Sequence, residues 1–358
     1  MRIAIFGLGY VGVVSATCLA SRGHTVWGVD VNSGKIDLVN AGRSPIVEPQ
    51  IGQLLCSAVR MGRLRATTDW ARAVAETDMA WICVGTPSQS NGSVDLGPLR
   101  LVCEQIGSAL REQTDRYVVV LRSTMLPGTT TATAMPLLER HSGKRSGVDF
   151  GLCYQPEFLR EGNSVEDFLH PSRIVIGATD DVSADLLAGL YEGFGVPCSH
   201  TTIETAELIK YCDNAWHAVK VAFANEMGTL SREMGIDGRS LMDLFVQDQR
   251  LNLSGKYLSP GGPFGGSCLP KDLRALACAA KRADVELPLL NSVLVSNEYH
   301  MLRALRMIVE RGHRRVGLIG LSFKAGTDDL RESPLVEIAE RLIGKGYDLR
   351  IFDSDVAL

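Results

Sequence analysis

Short apolar runs alternate with amphipathic stretches through the first third of the chain, the pattern of a parallel sheet with helices on both faces. The runs predict strands at 2–6 (RIAIF), 25–30 (TVWGVD), 79–84 (MAWICV), 117–122 (YVVVLR) and 173–177 (RIVIG). Helices are predicted between them, for example from Tyr10 to Ser21 and from Gly97 to Glu112. From about Thr201 the pattern changes. Residues 202–233 read as one long helix, with Thr201 and Glu204 placed like a capping box and Gly235 near its end. More helix runs to about Asp248, a Gly/Pro-rich loop spans Ser259 to Cys268, and helices follow around 271–282 and 289–310. The strand pattern returns at Arg315 (RVGLIG), with a helix at 334–345 and a strand at 348–352.

Composition narrows the class. A hydrophobic fraction of 45% with 22% charged residues excludes a disordered chain. The formal charge of -4 and a pI near 6.0 argue against a nucleic-acid coat or a binder of anionic membranes, which need clustered Lys and Arg. No apolar run reaches the roughly 18 residues that span a bilayer, and the amino terminus enters a strand with no signal-peptide layout. Nine cysteines without a CxxC pair argue against a disulfide framework or a zinc site. They are expected in a reducing cytoplasm, each thiol either a small core residue or a reactive one.

Five groups of residues carry candidate chemistry. Gly7-Leu-Gly9-Tyr-Val-Gly12 follows the first strand and opens a helix, so its backbone N–H groups can approach a pyrophosphate. Asp30 closes the second strand at the spacing of an acid for a ribose 2′-hydroxyl, and with Val31 following it would repel a 2′-phosphate, favouring NAD over NADP. Gly85-Thr86-Pro87 and Ser123-Thr124 sit at carboxyl ends of strands, where open α/β sheets bind ligands; ordinary turn chemistry is the competing reading. On the long helix, Lys210, Asn214, His217 and Asn225 form a polar stripe, either a solvated face or one turned to a polar ligand or partner helix. Cys268, in Phe264-Gly-Gly-Ser-Cys-Leu-Pro-Lys271-Asp272, is expected at a helix start with Lys271 one turn on; both features favour the nucleophilic thiolate, against a structural thiol. The other eight cysteines read as core residues. Finally, Glu157 and Glu161 are two carboxylates four apart that would act as base and ligand anchor if a cleft holds them.

Together these residues resemble the UDP-glucose/GDP-mannose dehydrogenase family, and within it the branch acting on GDP-mannose. The resemblance rests on Ile5–Gly12, Lys35–Asn40, Ser44-Pro-Ile-Val-Glu-Pro49, Cys83-Val-Gly-Thr-Pro87, Pro156–Leu159, Phe264–Asp272 and Leu321–Pro334, and so runs through nearly the whole chain. The cysteine loop and the 321–334 segment are highly specific; the glycine fingerprint is not. The resemblance implies an α/β protein in three parts. An N-terminal Rossmann-like doubly wound parallel sheet binds NAD (1–200), a central all-α domain with one long helix carries the cysteine loop (201–312), and a second Rossmann-like domain begins at 313–358 and is expected to be unfinished.

It also implies two-step oxidation of a nucleotide sugar at C6 to the uronic acid, with NAD as cofactor and a polysaccharide such as alginate as destination. No metal, nucleic acid or membrane is expected, and the long helix would pair copies into a homodimer or a higher homo-oligomer. Gly7, Gly9, Tyr10, Val11, Gly12, Asp30, Lys35, Thr86, Thr124, Lys271 and Arg331 are the implied NAD contacts. Glu161, Lys210, Asn214, His217, Asn225, Tyr257, Gly265 and Lys324 are the implied substrate contacts. Cys268, Lys210, Asn214, Glu157, Asp272 and Thr124 are the implied catalytic group. The chain departs from its branch at Lys256, Ser259 and Gly262, where relatives carry an aromatic, an arginine and a second aromatic. Three alternatives stay open: a UDP-glucose dehydrogenase, a single-step β-hydroxyacid dehydrogenase with no use for Cys268, and a truncated paralogue that binds NAD without turnover.

Overall fold

In the computed structural model, residues 1–87, 94–253, 262–266, 269–282, 284–323, 330–354 and 356 are described. They fall into two compact units, Met1–Ala215 and Trp216–Leu358.

The first unit runs β1 (Arg2–Phe6), α1 (Tyr10–Ser21), β2 (Thr25–Val29), α2 (Ser33–Asn40), α3 (Ile51–Arg60), β3 (Leu64–Thr67), α4 (Trp70–Ala75) and β4 (Met79–Ile82). It continues with α5 (Gly97–Leu110), β5 (Val118–Leu121), a π-helical turn (Thr130–Ala134) leading into α6 (Met135–Ser142), β6 (Gly151–Tyr154), α7 (Ser164–Leu169), β7 (Ile174–Ala178), α8 (Asp181–Ala188) and β8 (Cys198–Thr201). The strands form one sheet of eight in the order β3-β2-β1-β4-β5-β6-β7-β8. Every neighbouring pair is parallel except β6 and β7, which are antiparallel. Between β6 and β7 the chain holds the six-residue α7 and reverses direction.

Alternation along each strand feeds two cores. Ile3, Ile5, Trp81, Val118 and Val120 point to one face, packed by α1, α3, α7 and α8. Ala4, Phe6, Ile82, Val119 and Leu121 point to the other, packed by α4, α5, α6 and Ile203 and Ala206 of the next helix. Both faces are buried, which is why the strands read as unbroken apolar runs. All expected strands are present. The four-residue strands β3, β6 and β8 were not anticipated, and β8 is a polar edge strand with three exposed residues out of four.

The long helix α9 spans Ile203–Glu233. Its N-terminal cap differs from expectation. Thr202, not Thr201, accepts the Thr205 N–H (3.2 Å), and the Glu204 carboxylate turns away to accept the Thr131 hydroxyl (3.0 Å). The second unit then carries α10 (Gly238–Phe245), α11 (Leu269–Arg282), α12 (Pro288–Val309), β9 (Arg315–Ile319), α13 (Pro334–Gly344) and β10 (Asp348–Phe352). β9 and β10 pair in parallel across α13 as a βαβ unit, with Ile338 and Leu342 buried against Met301 and Leu305 of α12.

Candidate active site

The three glycines after β1 have three different surroundings. Gly7 turns the chain at φ +93°, where a side chain would run into the Cys83 carbonyl. Gly12 lies so close to Gly7 that a β-carbon there would overlap the Gly7 carbonyl oxygen and stand 3.0 Å from its carbon. At Gly9 a β-carbon would meet nothing within 4 Å. Gly7 and Gly12 therefore serve the turn and the strand–helix packing, and Gly9 leaves space. That space faces the start of α1, which no side chain caps. Its free N–H groups and helix dipole suit a pyrophosphate.

Asp30 stands at the end of β2 beside this turn. One oxygen accepts the Leu8 N–H (2.7 Å) and the other the Asn32 N–H (2.9 Å), while Lys35 lies 3.5 Å away. The acid is thus aimed and partly screened before any ribose arrives. These residues fit a dinucleotide: an open glycine, an uncapped helix and a positioned carboxylate. Tyr10 behaves otherwise. It opens α1, but its hydroxyl is bonded to the Glu48 carboxylate. Val11 is half-buried behind it.

Further along the same sheet edge, the ends of β4 and β5 are tied together. The Thr86 hydroxyl donates to the Thr124 carbonyl (2.7 Å) and the Ser123 hydroxyl to the Val84 carbonyl (2.6 Å). After β6 comes Gln155, whose side-chain oxygen accepts from Arg122 (2.5 Å) and from Tyr191 (2.9 Å). Two residues on, the Glu157 carboxylate accepts the Leu159 N–H (2.7 Å) and pairs with the Lys210 ammonium at 2.7 Å. Both side chains of that pair are about nine-tenths buried, at 10% exposure each. Mutual charge compensation is what makes such burial tolerable.

Four residues at three-residue spacing fasten the first part of α9 to this unit. Glu204 meets Thr131, Glu207 meets the turn at 128–130, Lys210 meets Glu157, and Asp213 meets Arg173 (2.6 Å). Glu207 is fully buried and accepts the Gly128 N–H (2.6 Å), the Thr130 N–H (2.8 Å) and the Thr130 hydroxyl (2.6 Å). Burial pushes its carboxyl above the usual range, and those three donors offset this only in part. The turn it holds follows Thr124 directly, and Lys210 lies one helical turn further along α9.

Not every expected residue joins this edge. Glu161 is exposed whereas Glu157 is buried, so the two carboxylates occupy different environments and form no close pair. Asn214 and His217 are exposed on α9. In the second unit, a β-carbon at Gly265 would run into the Glu332 carbonyl and the Pro334 ring, and one at Gly266, where φ is +85°, would stand 2.7 Å from the Phe323 ring. Only glycine fits either place. The same segment is held by Asn297, which bonds both backbone groups of Phe264 (2.9 and 2.8 Å), and by the Gly266 N–H to the Glu332 carbonyl (3.2 Å). Glu332 in turn pairs with Arg274 at 2.6 Å, next to the exposed Arg331. Tyr257, Cys268 and Lys324, like Lys256 and Ser259, lie outside the described residues, as do the side chains of Asn225, Lys271 and Asp272; α11 begins at Leu269. Gly262 is exposed with open space around it.

Of the other cysteines, Cys18, Cys83, Cys103 and Cys153 are buried, and burial pushes each thiol up to about 12, so they stay protonated core residues. Cys198 and Cys212 are exposed, contrary to the expectation of a core role, and Cys56 is half-buried. Among the described residues no cluster of His, Cys, Asp or Glu could hold a metal ion, and no helix is long and apolar enough to cross a membrane. Sequence reasoning missed Glu48, Arg122 and Glu207. Glu48 stood in the Ser44–Pro49 motif without a role, Arg122 closed the expected strand 117–122, and Glu207 lay within the expected long helix, neither with a role.

Strand, glycine turn, uncapped helix and acid in this order define a dinucleotide-binding α/β protein with a buried Lys–Glu pair at the cofactor edge. Models of three domains match the chain: "UDP-glucose/GDP-mannose dehydrogenase family, NAD binding domain" over residues 1–195, the family's central domain over 204–299 and its UDP binding domain over 317–357. The chain belongs to the UDP-glucose/GDP-mannose dehydrogenase family, and is an NAD-dependent oxidoreductase. The GDP-mannose 6-dehydrogenase of Pseudomonas aeruginosa is 55% identical over 356 residues, covering 99% of this chain and 82% of that protein. A UDP-glucose 6-dehydrogenase of Haloferax volcanii is 37% identical, covering 99% of this chain and 83% of its own length. Among solved structures, a ternary complex of GDP-mannose dehydrogenase from Pseudomonas aeruginosa superposes with a TM-score of 0.98 over 99% of this chain and 81% of that one, at 55% identity. A UDP-glucose dehydrogenase from Pyrobaculum islandicum gives 0.67 at 38% identity, covering 99% and 82%. The third-domain stretch, expected to be unfinished, is therefore matched by the family's UDP-binding model.

Proposed function

We propose that the chain oxidises GDP-mannose at C6 to GDP-mannuronate, in two NAD-linked steps, as a precursor for polysaccharide synthesis. The observation that carries this reading is the Lys210 ammonium, held beside Glu157 at the sheet edge where Gly9, Asp30, Thr86 and Thr124 gather. The choice of GDP-mannose rests on the 52–55% identity to GDP-mannose 6-dehydrogenases and the 0.98 superposition.

Gly7, Gly9, Tyr10, Val11, Gly12, Asp30, Lys35, Thr86, Thr124, Lys271 and Arg331 are assigned to NAD, which accepts the hydride of each oxidation. Glu161, Lys210, Asn214, His217, Asn225, Tyr257, Gly265 and Lys324 are assigned to the sugar nucleotide. Lys210 and Asn214, one turn apart on α9, stabilise the oxyanion as the C6 hydroxyl loses its proton. The Cys268 thiolate then adds to the aldehyde, giving a thiohemiacetal. Loss of its C6 hydride leaves a thioester, and water deprotonated by Glu157 or Asp272 cleaves the C–S bond to release acid and thiol. Holding the intermediate on sulfur keeps the aldehyde from escaping between the two oxidations.

The division of labour follows the sequence: NAD binding by 1–200, a helical domain with the cysteine loop at 201–312, and a nucleotide-sugar-binding part from 313 onward. Exposed Leu208, Trp216 and Val219 on α9 support pairing of two copies through that helix, and the free thiols among the described residues support a cytoplasmic setting. A UDP-glucose substrate is the second reading, favoured by the UDP-binding description of 317–357. An NADH assay with each nucleotide sugar separates them. GDP-mannose should give the higher kcat/KM; preference for UDP-glucose would reverse the assignment.

A further inference from the structure

Glu48 is a carboxylate with 8% exposure in the Ser44–Pro49 segment, a stretch that none of the roles above uses. One of its oxygens accepts the Tyr10 hydroxyl and the Gly162 N–H (2.8 Å), and the other accepts the Ser164 N–H (2.8 Å). The Gly162 N–H also reaches the Tyr10 hydroxyl oxygen at 3.0 Å. One buried carboxylate thereby joins the first residue of α1, at the cofactor cradle, to the loop between β6 and α7. That loop is pinned at its start by the Glu157–Lys210 pair, and in its middle by Arg160, whose backbone and guanidinium both bond Asp167 (2.9 and 2.6 Å). Glu161 lies between two pinned residues with its own side chain exposed.

We propose that Glu48 and the Tyr10 hydroxyl form a positioning device for the substrate loop, so that this hydroxyl serves Glu161 and the sugar nucleotide, while only the Tyr10 backbone, at the uncapped start of α1, is left to the cofactor. A tyrosine hydroxyl committed to a carboxylate has no proton left to offer a phosphate or ribose. The carboxylate, with three donors converging on it, holds the loop where a neutral side chain would not, because charged acceptors make the stronger hydrogen bonds. Only the role of Glu161 rests on the proposed function; the tether itself does not.

Two measurements on the full chain test this. Hydrogen exchange without ligand should show the amides of 160–165 exchanging about tenfold faster in Tyr10→Phe, the scale of one hydrogen bond to an ionised acceptor, with β1 and α1 unchanged. Glu48→Gln, which sets an amide N–H against a backbone N–H, should exceed that. In steady state, Tyr10→Phe should raise KM for the sugar nucleotide about tenfold and leave KM for NAD within about twofold. A rise in KM for NAD with loop exchange unaltered would overturn the proposal and make the Tyr10 hydroxyl a cofactor contact. Should the wild type oxidise no sugar nucleotide, the function fails but the exchange experiment still decides the tether. Tyr10→Phe removes a single oxygen, so the test stands even if Glu48→Gln does not fold.

Discussion

Two glycines three residues apart should fail in opposite ways when replaced by alanine. At Gly12 the new methyl would overlap the Gly7 carbonyl oxygen, which belongs to backbone and cannot swing aside. Helix α1 would have to withdraw, yet it is buried from Gly12 to Ala20. Overpacking of this kind costs about 3 kcal/mol, and for a unit of this size about 6–12 °C in Tm. At Gly9 the backbone is extended (φ −80°, ψ −165°), open to any residue, and the methyl meets nothing within 4 Å. Gly9→Ala should therefore leave stability within about 0.5 kcal/mol. Its methyl would instead fill the space a pyrophosphate needs, weakening NAD about 10- to 100-fold, or about 1.4–2.8 kcal/mol. Thermal unfolding by circular dichroism without ligand, and NAD titration by calorimetry, read the two effects separately. Native NAD affinity in Gly9→Ala, or a Tm loss matching that of Gly12→Ala, would refute the assignment of the open space to the cofactor.

Lys210→Met should destabilise the chain by about 3–5 kcal/mol in urea unfolding, because it leaves the Glu157 carboxylate buried and unpaired; the double variant Lys210→Met/Glu157→Leu should recover most of that while remaining inactive, and a single-variant loss below about 1 kcal/mol would contradict the pair's burial. Glu207 supplies a pH test. Its raised carboxyl contributes stability that is fully present below the ordinary glutamate value of about 4.3 and is lost as pH rises through the folded-state value. Glu207→Gln cannot ionise, so its urea midpoint should fall less than the wild type's across that window; parallel curves would show that Glu207 does not titrate there.

Legibility in the sequence followed burial. Strands such as Val118–Leu121 are covered on both faces and read as unbroken apolar runs, whereas β8 (CSHT) is an exposed polar edge with no hydrophobic signal. The glycine turn was legible because the positive φ at Gly7 and the close approach of Gly7 and Gly12 restrict those two positions to glycine, and Asp30 because it closes a strand at fixed spacing. Glu48 and Glu207 were not. Each is a buried carboxylate satisfied by backbone N–H groups far away in the chain (114 and 116 residues for Glu48), and composition near Glu48 or Glu207 carries no trace of such partners. The capping of α9 shows the same limit: Thr201 and Thr202 are equally good caps in sequence, and Glu204 was drawn off by Thr131 from the π-helical turn.

The most direct test of the central claim is the stoichiometry of NADH formed from limiting GDP-mannose with excess NAD. Two NADH per sugar, with Cys268→Ser stopping before acid release, is the predicted result. One NADH per sugar, with Cys268 dispensable, would contradict it.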